Sequence, residues 1–261
     1  MAVQIPETLS PSKLSRFLQC PLSFRYSYID HLPEPSTPAQ LRGTLVHRAL
    51  QLFYEDHSAT ERQEALALAS LERAWSEMAP TEEMLSLEFD ERATTTFVNE
   101  ARALVRHYFA MEDPTTVSPI GIELDLTARL GEISLHGIID RLDRLPSGET
   151  VVTDYKTGRS PRPDASRSRL LGVQFYAYLC QEVYGVRPSE IRLLYLKDQV
   201  VIVESPNDQT MRGLKARATA AWQAIERACD AEDFRPNVSA LCRFCAFQDR
   251  CPAMTTGSPS K

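Results

Sequence analysis

The chain lacks any run of about 18 apolar residues, so no segment reads as a transmembrane helix. Its opening, MAVQIPETLSPSK, lacks the charged-then-apolar order of a secretion signal. The expectation is therefore a cytoplasmic protein with reduced thiols and no membrane partner. G-x-x-x-x-G-K-[ST] and G-x-G-x-x-G are both missing, which argues against phosphate-loop and dinucleotide chemistry. There is no internal repeat and no low-complexity tract. Hydrophobic residues make up 43% and charged residues 25%, close to the globular average, which excludes disordered and collagen-like chains. An excess of positive charge is also missing: the net charge is −6. That total hides an asymmetry, because Glu55 to Glu100 holds 12 acidic and 3 basic residues. Lys156 to Arg169 holds 5 basic residues and 1 acidic one. A polyanion responds to the local field over about 8–10 Å, so the total excludes no nucleic-acid partner.

The 261 residues fit one large domain, expected over 1–254, with a flexible tail at 255–261. Ser10-Pro11-Ser12 reads as a helix start, followed by Leu14, Phe17, Leu18 and Leu22 at helical spacing. A second helix is predicted over Gly43–Glu55. The acidic stretch 56–118 reads as a helical insertion, two long helices split at Pro80 with a solvated charged face. Strands are predicted at Ile120–Leu130 and Ile133–Asp140. A hairpin of Arg141–Leu145 and Thr150–Lys156 is predicted to turn at Pro146-Ser147-Gly148-Glu149. Helices at Leu170–Tyr184 and Asp208–Asp230 enclose strands at Ile191–Leu196 and Val200–Glu204. This pattern predicts an α/β fold with a small mixed central sheet flanked by helices.

The most informative segment is Gly137-Ile-Ile-Asp140 followed by Val151-Val-Thr-Asp154-Tyr155-Lys156. Asp154 and Lys156 are two apart on a strand and project from one face. Asp140 is placed to lie beside Asp154. Carboxylates brought together repel unless a cation sits between them, and hard oxygen ligands suit Mg²⁺ or Mn²⁺. A lysine beside such an ion can orient or deprotonate water and offset charge at a phosphorus centre. Spacing alone leaves a surface ion pair as the plain alternative.

Four of the six cysteines form a pattern: Cys242-x2-Cys245-x5-Cys251-Pro252 late in the chain, and Cys20-Pro21 early. Three close thiols point to a metal before a disulfide, and Cys20 is the candidate fourth ligand. Zn²⁺ and a [4Fe–4S] cluster both accept four thiolates, and spacing does not separate them. Cys180 and Cys229 share faces with apolar residues and read as buried core thiols. Arg159, Arg162, Arg167 and Arg169 follow the Asp154–Lys156 strand as a phosphate-holding loop or a solvated one. Arg16 and Arg25 flank Cys20. Tyr26 and Tyr28 are available to stack on unpaired bases or to pack in the core.

Gly137-Ile-Ile-Asp140-Arg-Leu-Asp, a short hairpin, Val151-Val-Thr-Asp154-Tyr-Lys156-Thr-Gly and Gln174-x-x-x-Tyr178 come in an order that resembles the PD-(D/E)xK nuclease superfamily. The likeness is to its RecB-type exonuclease branch, which includes the Cas4 nucleases. It covers 10–55, 120–205 and 240–252. It implies a restriction-endonuclease-like core with Asp140, Asp154 and the backbone carbonyl of Tyr155 as metal ligands and Lys156 as the catalytic lysine. Gln174 and Tyr178 would contact DNA near the scissile phosphate. His47, in Gly43-x-x-x-His47, would be a further metal ligand that tilts preference toward Mn²⁺. Glu123 stands where some relatives carry an acidic residue, with an exposed strand glutamate as the plain alternative. The resemblance favours [4Fe–4S] over zinc at Cys20, Cys242, Cys245 and Cys251, as a structural staple joining 1–30 to 236–252. The implied activity is a metal-dependent DNA exonuclease acting on single strands or ends in repair. CRISPR adaptation, or a DNA-binding role beside a helicase or CRISPR-adaptation subunit, stays open.

Overall fold

A computed structural model describes residues 3–161 and 166–255. The helices are α1 (Pro11–Gln19), α2 (Pro21–Tyr28), α3 (Pro38–Asp56), α4 (Glu64–Met78), α5 (Glu82–Leu85) and α6 (Glu91–Met111), followed after the first strands by α7 (Ser166–Tyr184), α8 (Asp208–Asp230) and α9 (Pro252–Thr255). The strands are β1 (Pro119–Leu130), β2 (Ile133–Arg144), β3 (Thr150–Lys156), β4 (Glu190–Tyr195) and β5 (Val200–Glu204). They form one sheet in the order β1-β2-β3-β4-β5. β2 and β3 pair antiparallel, β3 and β4 parallel with α7 as the crossover, and β4 and β5 antiparallel. The α/β class and the small mixed sheet are as expected. Val151 and Val152 point to opposite faces of β3 and are both fully buried, as a central strand requires.

Two local departures from the sequence reading have clear causes. The helical spacing through Leu14–Leu22 is broken at Cys20, which adopts extended backbone between α1 and α2. Pro21 is the reason: its ring clashes with a helical residue before it, while its fixed φ suits the first position of a new helix. The second departure is β2, which runs without interruption to Arg144 instead of ending at Asp140. The predicted strand to Asp140 and the predicted hairpin arm Arg141–Leu145 are thus one strand, in which Arg141 and Asp143 are buried and paired with each other.

The chain divides into two compact units. One comprises Met1–Pro35, Thr127–Gly137 and Asp208–Lys261. Within it α8 packs on α1, burying Met211, Leu214, Ala218 and Ile225 on one side and Leu14 and Phe17 on the other. Leu9 bridges to Leu135, with hydrogen bonds from Leu9 N to Ser134 O (2.8 Å) and from His136 N to Leu9 O (3.0 Å). The helix start at Ser10 is as predicted: its hydroxyl accepts from Lys13 N at 3.2 Å.

The other unit comprises Ser36–Leu126 and Ile138–Asn207. A capping box of Thr37 and Gln40 with Pro38 at the first position starts α3. Its buried stripe, Leu45, Ala49, Leu52 and Phe53, belongs to one core cluster with Leu71 of α4, Val105 and Tyr108 of α6, Tyr155 of β3 and Leu194 of β4. The acidic helices turn their charges outward into pairs such as Arg48–Glu77, Arg73–Asp56 and Arg102–Glu72. Exposed pairs of this kind contribute about 0–1 kcal/mol each, so burial of the opposite faces holds the helices in place. Phe53 is fully buried. Phe53→Ala is expected to lower unfolding stability by about 3–5 kcal/mol, read from urea denaturation.

Candidate metal centre

The antiparallel register of β2 and β3 pairs Arg141 with Thr153. One step further along lie Asp140 and Asp154, so two acidic residues meet on adjacent strands. Asp140 Oδ2 accepts a hydrogen bond from Tyr155 N at 2.6 Å, which fixes that carboxylate against β3. His47, in the middle of α3, brings Nδ1 to 3.4 Å from Asp140 Oδ1. Gly43, one turn earlier on α3, faces Thr157 closely: a Cβ at that position would lie 3.1 Å from Thr157 Oγ1. A glycine there lets α3 approach the end of β3.

Glu123 completes a cluster. Ligand atoms of His47, Glu123 and Asp140 all lie within 4.8 Å of one another. The sequence reading left Glu123 as a plain strand residue as readily as a site residue, because alternation along β1 does not select it. In the structure Glu123 has a left-handed backbone, φ 46°, inside an otherwise extended strand. Two residues earlier, a Cβ on Gly121 would sit 2.5 Å from the methyl carbons of Leu124. With a side chain at 121, Leu124 would have to move aside, so Gly121 accompanies the kink at Glu123. A non-glycine residue in this conformation costs of order 1–3 kcal/mol, a local strain of the kind that accumulates at functional sites.

Asp154 and Lys156 share a face of β3, as their spacing predicts. Lys156 Nζ lies 2.5 Å from Asp154 Oδ2. The Asp154 side chain is 2% exposed and that of Lys156 41%, so the lysine can meet an incoming molecule while the carboxylate cannot. Asp154 Oδ2 receives no well-aligned hydrogen bond despite this ion pair. Asp154 Oδ1 accepts from the hydroxyl of Tyr176 at 3.3 Å. Thus α7 sends Tyr176 to Asp154, and neither composition nor spacing had singled that residue out.

The electrostatics are those of like charges held together. Burial pushes the Glu123 carboxyl up to about 7, and the neighbouring Asp140 pushes the same way. Burial also raises Asp154, reinforced by Asp140 and opposed by Lys156. Burial alone would lower His47 and Lys156. The negative charge of Asp140 and Asp154 outweighs it, and both stay above their usual values. The shifts of His47 and Lys156 report excess negative potential, and those of Glu123 and Asp154 report burial with like charge added to it; a cation relieves both. Three carboxylates and one imidazole fit a hard or borderline divalent ion. His47, Glu123 and Asp140 would hold it, with Asp154 alongside.

The remaining predicted residues fall elsewhere. Gln174 is buried on α7 and its Oε1 has no hydrogen-bond partner. Tyr178 is buried, 2% exposed. Arg159 is exposed in the loop after β3, where its neighbour Ser160 donates from N and Oγ to Asp198 Oδ2 (2.6 and 2.9 Å). Arg162 lies outside the described residues, as do the side chains of Arg167 and Arg169. Arg16 pairs with Glu34 and Arg25 with Asp30. Tyr28 carries the Lys13 and Arg16 cations over its ring. Tyr26 donates to Arg250 O (3.1 Å) and stacks edge-on to Phe247. Cys180 and Cys229 are buried, as read.

The four patterned cysteines all belong to the unit that contains α1, α2 and α8. Cys20 sits at the corner between α1 and α2. Cys242 and Cys245 bracket the end of a 3₁₀ turn, Ala240–Phe244, and Cys251 precedes α9. Asn237 ties the two ends of the chain together: its N donates to Cys20 Sγ (3.4 Å) and its Nδ2 to Gln19 O (2.8 Å). Cys242 Sγ accepts from Ser239 N at 3.3 Å.

A mixed sheet carrying clustered carboxylates, a histidine and a strand-borne lysine gathers the residues that a divalent metal site needs. Residues 8–252 match the sequence model of the PD-(D/E)XK nuclease superfamily, and the chain belongs to that superfamily. Its members use divalent metals. No curated protein matches the sequence. Among solved structures, a Eubacterium rectale protein named as a candidate exonuclease is similar at a TM-score of 0.57 and 11% identity, over 98% of this chain and 90% of that one. The crystal structure of SSO0001 matches at a TM-score of 0.45 and 15% identity, over 97% of this chain and 89% of that one. At such identities the Eubacterium rectale likeness shows a shared fold.

Glu123 supplies a test. Its folded-state value of about 7 lies above the ordinary 4.5, so between those limits the unfolded chain releases a proton that the folded chain keeps. Stability is therefore lost as pH rises through that window. In EDTA, the thermal midpoint of the protein should fall from pH 4.5 to about 7 more steeply than that of Glu123→Gln. Adding Mn²⁺ should raise the midpoint of the parent and do so less for the variant, as followed by calorimetry.

Proposed function

We propose that the protein is a Mg²⁺- or Mn²⁺-dependent deoxyribonuclease acting as an exonuclease on single-stranded DNA or DNA ends, in repair or recombination. The observation that carries this reading is the convergence of His47, Glu123 and Asp140 within 4.8 Å beside the Asp154–Lys156 ion pair. Superfamily membership makes it a nuclease, and the exonuclease name of the Eubacterium rectale neighbour supports the finer assignment.

The bound cation would polarise the phosphodiester and lower the pKa of coordinated water. His47, Glu123 and Asp140 would hold it, with Asp154 alongside. Lys156, charged and partly exposed, orients the attacking water and offsets charge that develops on the phosphoryl oxygens. Tyr176 and Lys156 together hold the Asp154 carboxylate in one orientation. The exposed Arg159 is assigned to the DNA strand, whereas Gln174 and Tyr178, both buried on α7, pack that helix against the sheet instead of reaching the strand. The paired Arg16 and Arg25 hold phosphates only by exchanging their carboxylate partners.

The second element of the reading is a [4Fe–4S] cluster at Cys20, Cys242, Cys245 and Cys251. Support comes from the spacing, from the N–H donors on the sulfurs of Cys20 and Cys242 and from the Asn237 tie between the chain's two ends. A ligand joining residues so far apart in sequence stabilises mainly by restricting the unfolded chain, which gives the cluster a structural role.

Cleavage of end-labelled DNA by anaerobically purified protein tests the activity. Metal-dependent degradation that Lys156→Ala reduces by roughly 10²-fold or more is the expected result. Undiminished cleavage by that variant would remove the active-site assignment. Iron and acid-labile sulfide analysis tests the cluster. The parent should carry both and show visible charge-transfer absorption, while Cys245→Ala should lose iron and melt at lower temperature. Zinc without sulfide would overturn the cluster.

A further inference from the structure

Beneath the metal cluster, on the opposite face of the sheet, lies a second charged group that the proposed reaction does not use. Arg141 follows Asp140 on β2, so its side chain leaves the other face of the sheet. It is 1% exposed and is the largest fully buried side chain among the described residues. Each nitrogen of its guanidinium finds acceptors. Nε donates to both carboxylate oxygens of Asp143 (2.8 and 3.0 Å). One terminal nitrogen donates to the hydroxyls of Tyr54 (2.8 Å), Tyr155 (2.7 Å) and Tyr108 (3.3 Å). The other donates to Glu112 Oε2 (2.8 Å) and Thr153 Oγ1 (3.2 Å). The Tyr54 ring packs against the guanidinium at 4.7 Å. The Tyr54 and Tyr108 hydroxyls also bond to each other, and Tyr108 donates to Glu112 (2.6 Å).

These partners come from four separate elements. Tyr54 is on α3, Tyr108 on α6 with Glu112 just beyond its end, Asp143 on β2, and Thr153 and Tyr155 on β3. A buried guanidinium tolerates one arrangement of its acceptors, because losing any of them strands charge away from water. The network therefore fixes how α3, α6, β2 and β3 sit together.

One partner reaches the metal side directly. Tyr155 gives its phenol to Arg141 and its backbone N–H to Asp140 Oδ2 (2.6 Å). It stands between Asp154 and Lys156 in the chain, and its ring meets that of His47 edge-on with centroids 6.0 Å apart. Whatever holds the Tyr155 ring thus sets the position of the Asp154–Lys156 backbone against Asp140 and His47.

We propose that Arg141 is a positioning residue for the metal centre, and that Glu112 and Tyr108 extend this clamp to the acidic helical segment, making α6 part of the active-site scaffold. The proposal rests on the nuclease reading for its consequence in catalysis but not for its consequence in metal binding. Outer partners of metal ligands typically contribute 10- to 100-fold in metal affinity or activity when removed.

The test uses Tyr155→Phe, which deletes one hydroxyl of the clamp, and Glu112→Gln, which weakens its link to α6. Leu71→Ala, in the core of α4, serves as a control for destabilisation alone. Circular dichroism and a cooperative melt establish folding, and Mn²⁺ titration by calorimetry reads the site independently of cleavage. Tyr155→Phe and Glu112→Gln should each weaken Mn²⁺ binding about tenfold and lower kcat with KM for DNA unchanged. Leu71→Ala should melt earlier and bind Mn²⁺ like the parent. Should Glu112→Gln fail to fold, Tyr155→Phe carries the test alone, since Arg141 keeps both its carboxylates in that variant. Folded variants with parental Mn²⁺ affinity and kcat would overturn the clamp. The nuclease reading fails on different evidence: a parent protein that binds Mn²⁺ yet does not cut DNA, in which case the Mn²⁺ titrations still decide the clamp.

Discussion

The antiparallel pairing of β2 with β3 sets two sites at once, because successive strand residues point to opposite faces. On one face it puts Asp140 beside Asp154, with Lys156 two residues further along. On the other it places Arg141 against Thr153 and Tyr155. A slip of one residue would exchange the faces, sending a carboxylate into the tyrosine cluster and a guanidinium toward the metal centre. Either exchange would break the pairing of Arg141 with Asp143 and Glu112. The buried Arg141 with its carboxylates and hydroxyls therefore selects the register as strongly as the apolar side chains around it.

Burial and like charge together explain the pattern of ionisation on the metal face. That face gathers Asp140, Asp154 and Glu123, and burial, with Asp140 adding to it, raises the Glu123 carboxyl to about 7. His47 and Lys156 are held above their usual values by the same field. Such a site is less stable empty than it would be with neutral side chains, and a cation restores the balance. The left-handed backbone at Glu123 adds strain of the same kind. Binding and stability are thus traded against each other at one place, while the acidic helices bury their apolar faces in the surrounding core.

The unit that carries the cysteines follows a different rule. Its apolar core of α1 and α8 is supplemented by polar ties from Asn237 to Gln19 and Cys20, and from Tyr26 to Arg250. These bonds bring residues from the two ends of the sequence to neighbouring positions.

Local chemistry made much of this legible from the chain alone. The Ser10 cap, the helix over Asp208–Asp230, the strand order and the shared face of Asp154 and Lys156 follow from short-range rules of capping, periodicity and strand pleat. Glu123 and Tyr176 were not readable in that way. The first reaches the metal cluster through a backbone kink that alternation cannot express, and the second depends on where a crossover helix lands on the sheet. Arg141 is the sharpest case: the sequence places it in a hairpin strand but does not show that it is buried, and only partners drawn from α3, α6, β2 and β3 make its burial possible. Sequence by itself determined the elements, the family and the pairing of acid with lysine on β3. Tertiary structure decided which carboxylates converge with His47 and which charge lies beneath them, because those contacts join residues far apart in the chain and no local rule fixes their distance.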